Sequence, residues 1–229
     1  MAGVGSAMVL NLKKIYTHRF NRTEHAQRVR LWKILCAYYF QKLISKDDTV
    51  VDVAAGRCEF INAIKCKRKI AVDLNVETKK YADKSVEVLK IDALKLTSKL
   101  GGKVNVVFMS NFLEHLGTKR DVLTLFNQVN KILVSSGRVI ILQPNINLAK
   151  EKYWDFIDHH IALNDKSVVE ALEVSGFEME RSIVRFLPYS TKSIFPISPV
   201  LVKIYLLLPA FLRPFAGQSL FVARKVTNE

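Results

Sequence analysis

Cysteine is scarce: Cys36, Cys58 and Cys66 are odd in number and lack paired spacing. That excludes a disulfide framework and a cysteine-held zinc, and it fits reduced thiols in a cytosolic compartment. Long hydrophobic runs are also missing. Val200–Leu208 is broken by Lys203 and ends at Pro209, far short of the roughly 20 residues of a membrane span. The first ten residues lack a basic segment followed by an apolar core, so a signal peptide is not expected and the protein is read as made and kept inside the cell. Glycine is sparse, with nine residues, and five of the six prolines, Pro188, Pro196, Pro199, Pro209 and Pro214, crowd one stretch that cannot be a long helix. Acidic side chains are the minority, 21 against 35 Lys and Arg. The net charge of +14 favours an anionic partner: nucleic acid, lipid headgroups or a phosphorylated substrate.

What is present is a chain of 229 residues, enough for one well-filled domain. Thr23–Ile44 carries Leu31, Leu35 and Tyr38 at helical spacing among Arg28, Arg30, Lys33 and Lys42, and predicts an amphipathic helix that flanks the rest of the fold. Short β-branched runs then alternate with helical stretches: Thr49–Ala54, Ile70–Leu74, Val86–Ile91, Val104–Met109 and Arg138–Leu142. Val122, Leu125, Phe126, Val129 and Leu133 mark one helix, with a turn at Ser135-Ser136-Gly137. Asn164 or Asp165 caps another, with Val168, Val169, Ala171 and Leu172 inward and Gly176 at its stop. Strands near Phe177–Val184 and Ser219–Lys225 complete the set. The expected fold is α/β and Rossmann-like: a seven-stranded, mostly parallel sheet with helices on both faces and an N-terminal helical flank. Residues 1–45 read as the N-terminal extension and 46–229 as the α/β domain, with a hydrophobic, proline-rich insertion at 188–217.

Val50-Val51-Asp52-Val53-Ala54-Ala55-Gly56-Arg57-Cys58-Glu59-Phe60 sets an acidic residue in an apolar strand, then a tight turn into a helix, the pattern of a nucleotide-type loop. Asp73 stands about 20 residues on, where a carboxylate can accept from an adenosine ribose, and Asp92 ends the third strand. A pyrophosphate needs several glycines so that backbone can crowd its oxygens, but this loop has only Gly56. A cofactor without phosphate fits better.

On these residues the chain resembles the class I S-adenosylmethionine-dependent methyltransferases (methyltransferase type 11/23-like). Asp52, Gly56 and Asp73 match the family's acidic residue, loop glycine and second acidic residue, while Ala54 and Cys58 replace two of its glycines. Asn105–Leu116 resembles the family's fourth strand and the loop after it, with Ser110, Asn111 and Phe112 where the methionine arm lies. Gly137-Arg138-Val139-Ile140 and Ser175-Gly176-Phe177 match further segments. The resemblance implies S-adenosyl-L-methionine as cofactor, at Asp52, Ala54, Gly56, Cys58, Asp73, Leu74, Asp92, Ala93, Ser110, Asn111 and Phe112. Strand-end carboxylates also cap turns, which is the plainer role for Asp52 and Asp73.

Methyl transfer to a hydroxyl gains from a base. His115 and the group Tyr153-Trp154-Asp155-Phe156-Ile157-Asp158-His159-His160 should both lie at carboxyl ends of parallel strands, where open α/β sheets bind ligands. His115, Asp158, His159 and His160 are therefore the catalytic candidates. Their spacing fits no metal motif, and none is expected to hold a metal. Capping the next helix is their plainer role.

Ile194, Phe195, Val200, Leu201, Ile204, Tyr205, Leu206, Leu207, Phe211 and Phe215, with Lys192, Lys203 and Arg213 among them, would suit an anionic membrane surface or a lipid-linked acceptor. A hairpin packed on the domain, or a homodimer interface, would bury the same residues. Tyr153–His160 and Phe186-Leu187-Pro188-Tyr189 resemble bacterial members that look linked to cell-surface glycan biosynthesis, implying a hydroxyl of a small, lipid-linked or nucleotide-linked acceptor. The rival readings are RNA or other nucleic-acid methylation and a non-catalytic, membrane-associated cofactor-binding protein. Against the first, the basic residues are scattered and no Asn-Pro-Pro-aromatic sequence stands after the fourth strand. The expected location is cytoplasmic, with peripheral contact at the inner face of the membrane left open.

Overall fold

The computed structural model describes residues 22–189 and 198–226. Its strands are β1 (Thr49–Val53), β2 (Arg68–Val72), β3 (Val86–Leu89), β4 (Val104–Ser110), β5 (Leu133–Pro144), β6 (Phe177–Pro188) and β7 (Ala216–Lys225). Between and around them lie α1 (Arg22–Tyr38), α2 (Glu59–Ala63), α3 (Thr78–Tyr81), α4 (Lys119–Ile132), α5 (Ile146–Ala149), α6 (Asp165–Val174) and α7 (Pro199–Leu207). The strands form one sheet in the order β3-β2-β1-β4-β5-β7-β6. The first five run parallel, and β7 pairs antiparallel with both β5 and β6.

Apolar residues occupy both parities of the central strands, and because successive side chains point to opposite faces, both faces need cover. On one face Val51, Val53, Val107, Met109, Val139 and Ile141 meet Val122, Leu125, Phe126 and Val129 of α4 and Val168 and Leu172 of α6. On the other, Val50, Val106, Phe108, Ile140 and Leu142 meet Trp32, Leu35 and Cys36 of α1 and Phe60 and Ile61 of α2. Capping boxes at Thr118 with Asp121 and at Asn164 with Ser167 start α4 and α6. Gly176, at φ +81°, stops α6 in the left-handed region.

Three details differ from the expectation. The flanking helix ends at Tyr38, a 3-10 turn at Phe40–Leu43 comes next, and Tyr38 is exposed. The buried stripe turns instead toward Trp32, whose ring packs against Phe40, Phe60 and Phe108. Second, β2 pairs with β1 from Arg68 to Val72, so Asp73 and Leu74 lie beyond the strand end rather than within it. Third, Ser135-Ser136-Gly137 is a bulge inside β5. Between Val104↔Leu133 and Val106↔Arg138 the β5 side carries three extra residues, with Ser136 at φ +60°.

Candidate active site

Parallel pairing brings the carboxyl ends of β1, β2, β4 and β5 to one edge of the sheet. After β1 the chain turns through Ala54, Gly56 and Cys58 at φ +56°, +53° and +60°. These are the three positions where the resembling family carries glycine. Left-handed backbone costs a residue with a Cβ about 1–2 kcal/mol, so Ala54 and Cys58 hold a strained loop, as backbones at ligand sites often do. A Cβ added at Gly56 would meet nothing within 4 Å, so the loop faces open space there. The Cys58 side chain turns the other way, fully buried with Sγ toward the Thr78 carbonyl, and burial pushes its thiol up to about 12. Only its backbone can serve the loop.

Asp73 joins this loop to the end of β2. Its Oδ2 accepts from the Gly56 amide at 2.8 Å and its Oδ1 from the Asn75 amide at 2.8 Å. Each carboxylate oxygen keeps a second lone pair. Burial raises the Asp73 pKa from its ordinary value and these amides oppose the rise. Asp52 lies beneath, almost fully buried, its carboxyl pushed well above the usual range first by burial and then by Glu59 and Asp73. Glu59 itself leaves the loop and meets Arg28 of α1 at 3.1 Å. Beyond β3, Asp92 accepts from the Leu94 amide, with Ala93 buried beside it. Leu74 is exposed at the same edge. Ser110, Asn111 and Phe112, at the end of β4 and just past it, are half-buried, with Asn111 left-handed at φ +50°.

The second half of the site lies past β4 and β5. Glu114 and His115 stand on a 3-10 turn, Leu113–His115, and His159 reaches them from the segment after β5. Glu114 is 1% exposed and its Oε2 accepts from Gln143 Nε2 at 2.8 Å. Its Oε1 faces His115 Nε2 at 3.8 Å and His159 Nε2 at 3.9 Å. His115 Nδ1 is held by the Asp158 carbonyl at 2.9 Å and its carboxylate at 3.3 Å. The two imidazoles meet edge to face at 5.0 Å. Burial lowers the His159 pKa, against the pull of Glu114.

His115, Asp158 and His159 are thus brought together, whereas His160 is exposed and contributes its backbone amide to the Glu114 carbonyl. Tyr153 is fully buried and donates to the Ile161 carbonyl, a structural role. Glu114 and Gln143 were not singled out by sequence reasoning. Their signal was weak: an acidic residue next to His115 and a polar residue near the end of an apolar strand.

The connection 188–217 leaves from this same edge, since Pro188 pairs with Ala216 and Gln218 with Pro144. Tyr189 donates to the Lys152 carbonyl, tying the connection to the segment after β5. Gly217 permits it, because a Cβ there would come within 2.4 Å of Tyr189 Cβ. Arg213 is not the surface cation expected. It is buried and donates to the carbonyls of Leu206, Leu208, Arg185 and Phe186, because α7 and β6 leave those acceptors pointing inward around it. Lys192, Ile194 and Phe195 lie outside the described residues. No helix among the described residues is long and apolar enough to cross a membrane.

No protein-family model matches the sequence, and no curated protein is significantly similar to it. Solved structures do share its fold, and the fold is that of the class I S-adenosylmethionine-dependent methyltransferases. A chain from the Haloferax volcanii complex between the Trm112 methyltransferase activator and a methyltransferase aligns with TM-score 0.64 at 15% identity, over 87% of this chain and 91% of that one. A SAM-dependent methyltransferase from Archaeoglobus fulgidus aligns with TM-score 0.60 at 20% identity, over 86% and 94%. Geranyl diphosphate C-methyltransferase from Streptomyces coelicolor, solved with Mg2+, geranyl diphosphate and S-adenosyl-L-homocysteine, aligns with TM-score 0.58 at 16% identity, over 85% and 78%. The residues present fit such a cofactor. Gly56 faces open space, the Asp73 carboxylate is fixed beside it, and no cluster of glycines invites a pyrophosphate.

Proposed function

We propose that this chain is an S-adenosylmethionine-dependent methyltransferase acting on a hydroxyl of a small, lipid-linked or nucleotide-linked acceptor, with a glycan as the leading candidate. The observation that carries it is the Gly56–Asp73 bond, which sets a carboxylate with free lone pairs beside an open loop. Ala54, Gly56, Asp73, Leu74, Asp92, Ala93 and Ser110 to Phe112 surround the cofactor in this reading, with Asp52 and Cys58 shaping the loop from beneath. Bound S-adenosylmethionine supplies a methyl group on cationic sulfur; one C–S bond breaks, its electron pair staying on sulfur, one C–O bond forms, and the hydroxyl proton departs. The chain's own tasks are to align the two partners, exclude water and accept or discharge that proton. Asp158 orients the His115 ring, and the Glu114–His115–His159 cluster is where the acceptor oxygen is activated. His160 stands exposed beside it.

Calorimetry should show S-adenosylmethionine binding and no nicotinamide dinucleotide binding; the reverse result overturns the reading. Label transfer from methyl-tritiated cofactor into fractionated bacterial glycolipids then tests the acceptor class, and labelled RNA alone would reject the glycan.

The membrane contact rests on an apolar patch. Val200, Leu201, Ile204, Leu207, Phe211, Leu212 and Phe215 are exposed together on α7 and the turn after it, whereas lone exposed apolar residues are ordinary. With the net charge of +14, an anionic bilayer surface is the partner of matching chemistry. The protein should co-sediment with phosphatidylglycerol vesicles, and Phe211→Ser with Phe215→Ser should cut the bound fraction several-fold. Equal sedimentation of the double variant would remove this surface.

A further inference from the structure

We propose that Glu114, His115 and His159 form a site for a divalent transition-metal ion. The role of that ion in activating the acceptor hydroxyl rests on the methyltransferase reading; its binding does not. No spacing along the chain announces the site, because the three ligands come from two segments separated by more than 40 residues.

The three groups converge without bonding to one another. Glu114 Oε1 and the two Nε2 atoms face a shared space, at 3.8 and 3.9 Å from the carboxylate oxygen. Those gaps exceed any hydrogen bond. One oxygen and two imidazole nitrogens all lie within 4.8 Å of one another. Around an ion with bonds of about 2.1 Å, tetrahedral ligands stand about 3.4 Å apart. A contraction of a few tenths of an ångström therefore suffices for the two carboxylate–imidazole pairs.

The surroundings match those of metal ligands. A ligating histidine usually passes its other N–H to a carboxylate or carbonyl, and a ligating carboxylate is itself hydrogen-bonded. His115 Nδ1 meets Asp158, carbonyl and carboxylate both. The second oxygen of Glu114 accepts from Gln143. The His159 side chain is 5% exposed, and the Tyr153 carbonyl is the backbone acceptor at its ring. Glu114 is also a buried acidic side chain with no Lys or Arg partner among the described residues, and buried carboxylates are commonly paired or bound to a metal. Two imidazoles and one carboxylate suit zinc, manganese, iron or cobalt better than calcium or magnesium. Three protein ligands would leave a further coordination position for an acceptor oxygen. An acceptor hydroxyl held there would be acidified by the ion.

The test uses chelator-treated full-length protein titrated with Co2+. One equivalent should produce visible d–d bands of a nitrogen-ligated, low-coordinate ion. His159→Ala and Glu114→Gln should each lower Co2+ affinity more than about tenfold, and Asp158→Asn about tenfold. His160→Ala should leave the bands unchanged. Calorimetry with S-adenosylmethionine, run on every variant, reports whether the fold and the cofactor loop persist. Bands of aqueous Co2+ only, or identical bands in His159→Ala and Glu114→Gln, overturn the metal site even when the cofactor binds. Co2+ bands without cofactor binding leave the metal site standing and overturn the proposed function.

Discussion

Asp73→Ala is expected to weaken S-adenosylmethionine binding by about 1–3 kcal/mol, roughly fivefold to 150-fold in Kd. Two losses combine. The carboxylate oxygens keep lone pairs for the cofactor's ribose hydroxyls, and hydrogen bonds to a charged acceptor are the stronger kind. The same oxygens hold the Gly56 and Asn75 amides, each at 2.8 Å, so alanine also releases the loop proposed to carry the cofactor. That loop is already strained at Ala54 and Cys58, and apart from Asp73 it is held by the Ala55 amide on the Val72 carbonyl and by buried Cys58. Asp73→Asn should fall between the two, since an amide keeps one acceptor oxygen and loses the charge. Calorimetric titration of the three proteins gives the answer. An unchanged Kd in Asp73→Ala would take this residue out of the site.

The half of the site proposed for the cofactor is legible because it is written locally. One strand, one turn and one helix lie within Thr49–Ala63, and Asp73 comes a single strand later, so order along the chain nearly equals order in space. The sheet was legible for a related reason: apolar residues on both parities of a strand can only mean a sheet covered on both faces. The half proposed for the acceptor is legible only in part: His115, Asp158 and His159 are each candidates from the sequence, but the contacts among them are not. His115 was visible as a histidine after a strand, but its partner Asp158 is 43 residues away. Only the adjacency of β4 and β5 brings the two together. Burial was equally hidden. Glu114 reads like any charged loop residue until the Leu113–His115 turn folds it inward against Gln143. The patterns also misled where one bulky side chain outweighed spacing, as when Trp32 displaced Tyr38 from the buried face of α1.

Arg213→Ala is expected to destabilise the protein by about 3 kcal/mol, and Arg213→Met by only slightly less. The reason lies in what the guanidinium holds. Four of its bonds run to main-chain carbonyls: Leu206 and Leu208 at the end of α7, and Arg185 and Phe186 in β6. Its plane also lies over the rings of Phe186 and Tyr205, at 5.6 and 6.0 Å. The residue is 6% exposed, so water cannot take over these acceptors when the side chain is removed. Methionine restores volume but no donor, which is why it should rescue little, while Arg213→Lys should retain part of the effect through a single charged donor. The consequence is local first. Tyr205 and Leu206 lose their anchor to β6, and α7 should loosen from the body before the sheet yields. Urea denaturation measures the total, and limited proteolysis between 199 and 215 measures the local part. Phe211→Ser and Phe215→Ser supply the contrast, because those rings are 75% and 81% exposed and their replacement should change stability by less than about 0.5 kcal/mol. Buried cation and exposed aromatics then separate: one fastens the apolar segment to the domain, and the others face whatever the segment meets. If Arg213→Ala unfolds at the same urea concentration as the parent and is cleaved no faster, the guanidinium does not anchor α7.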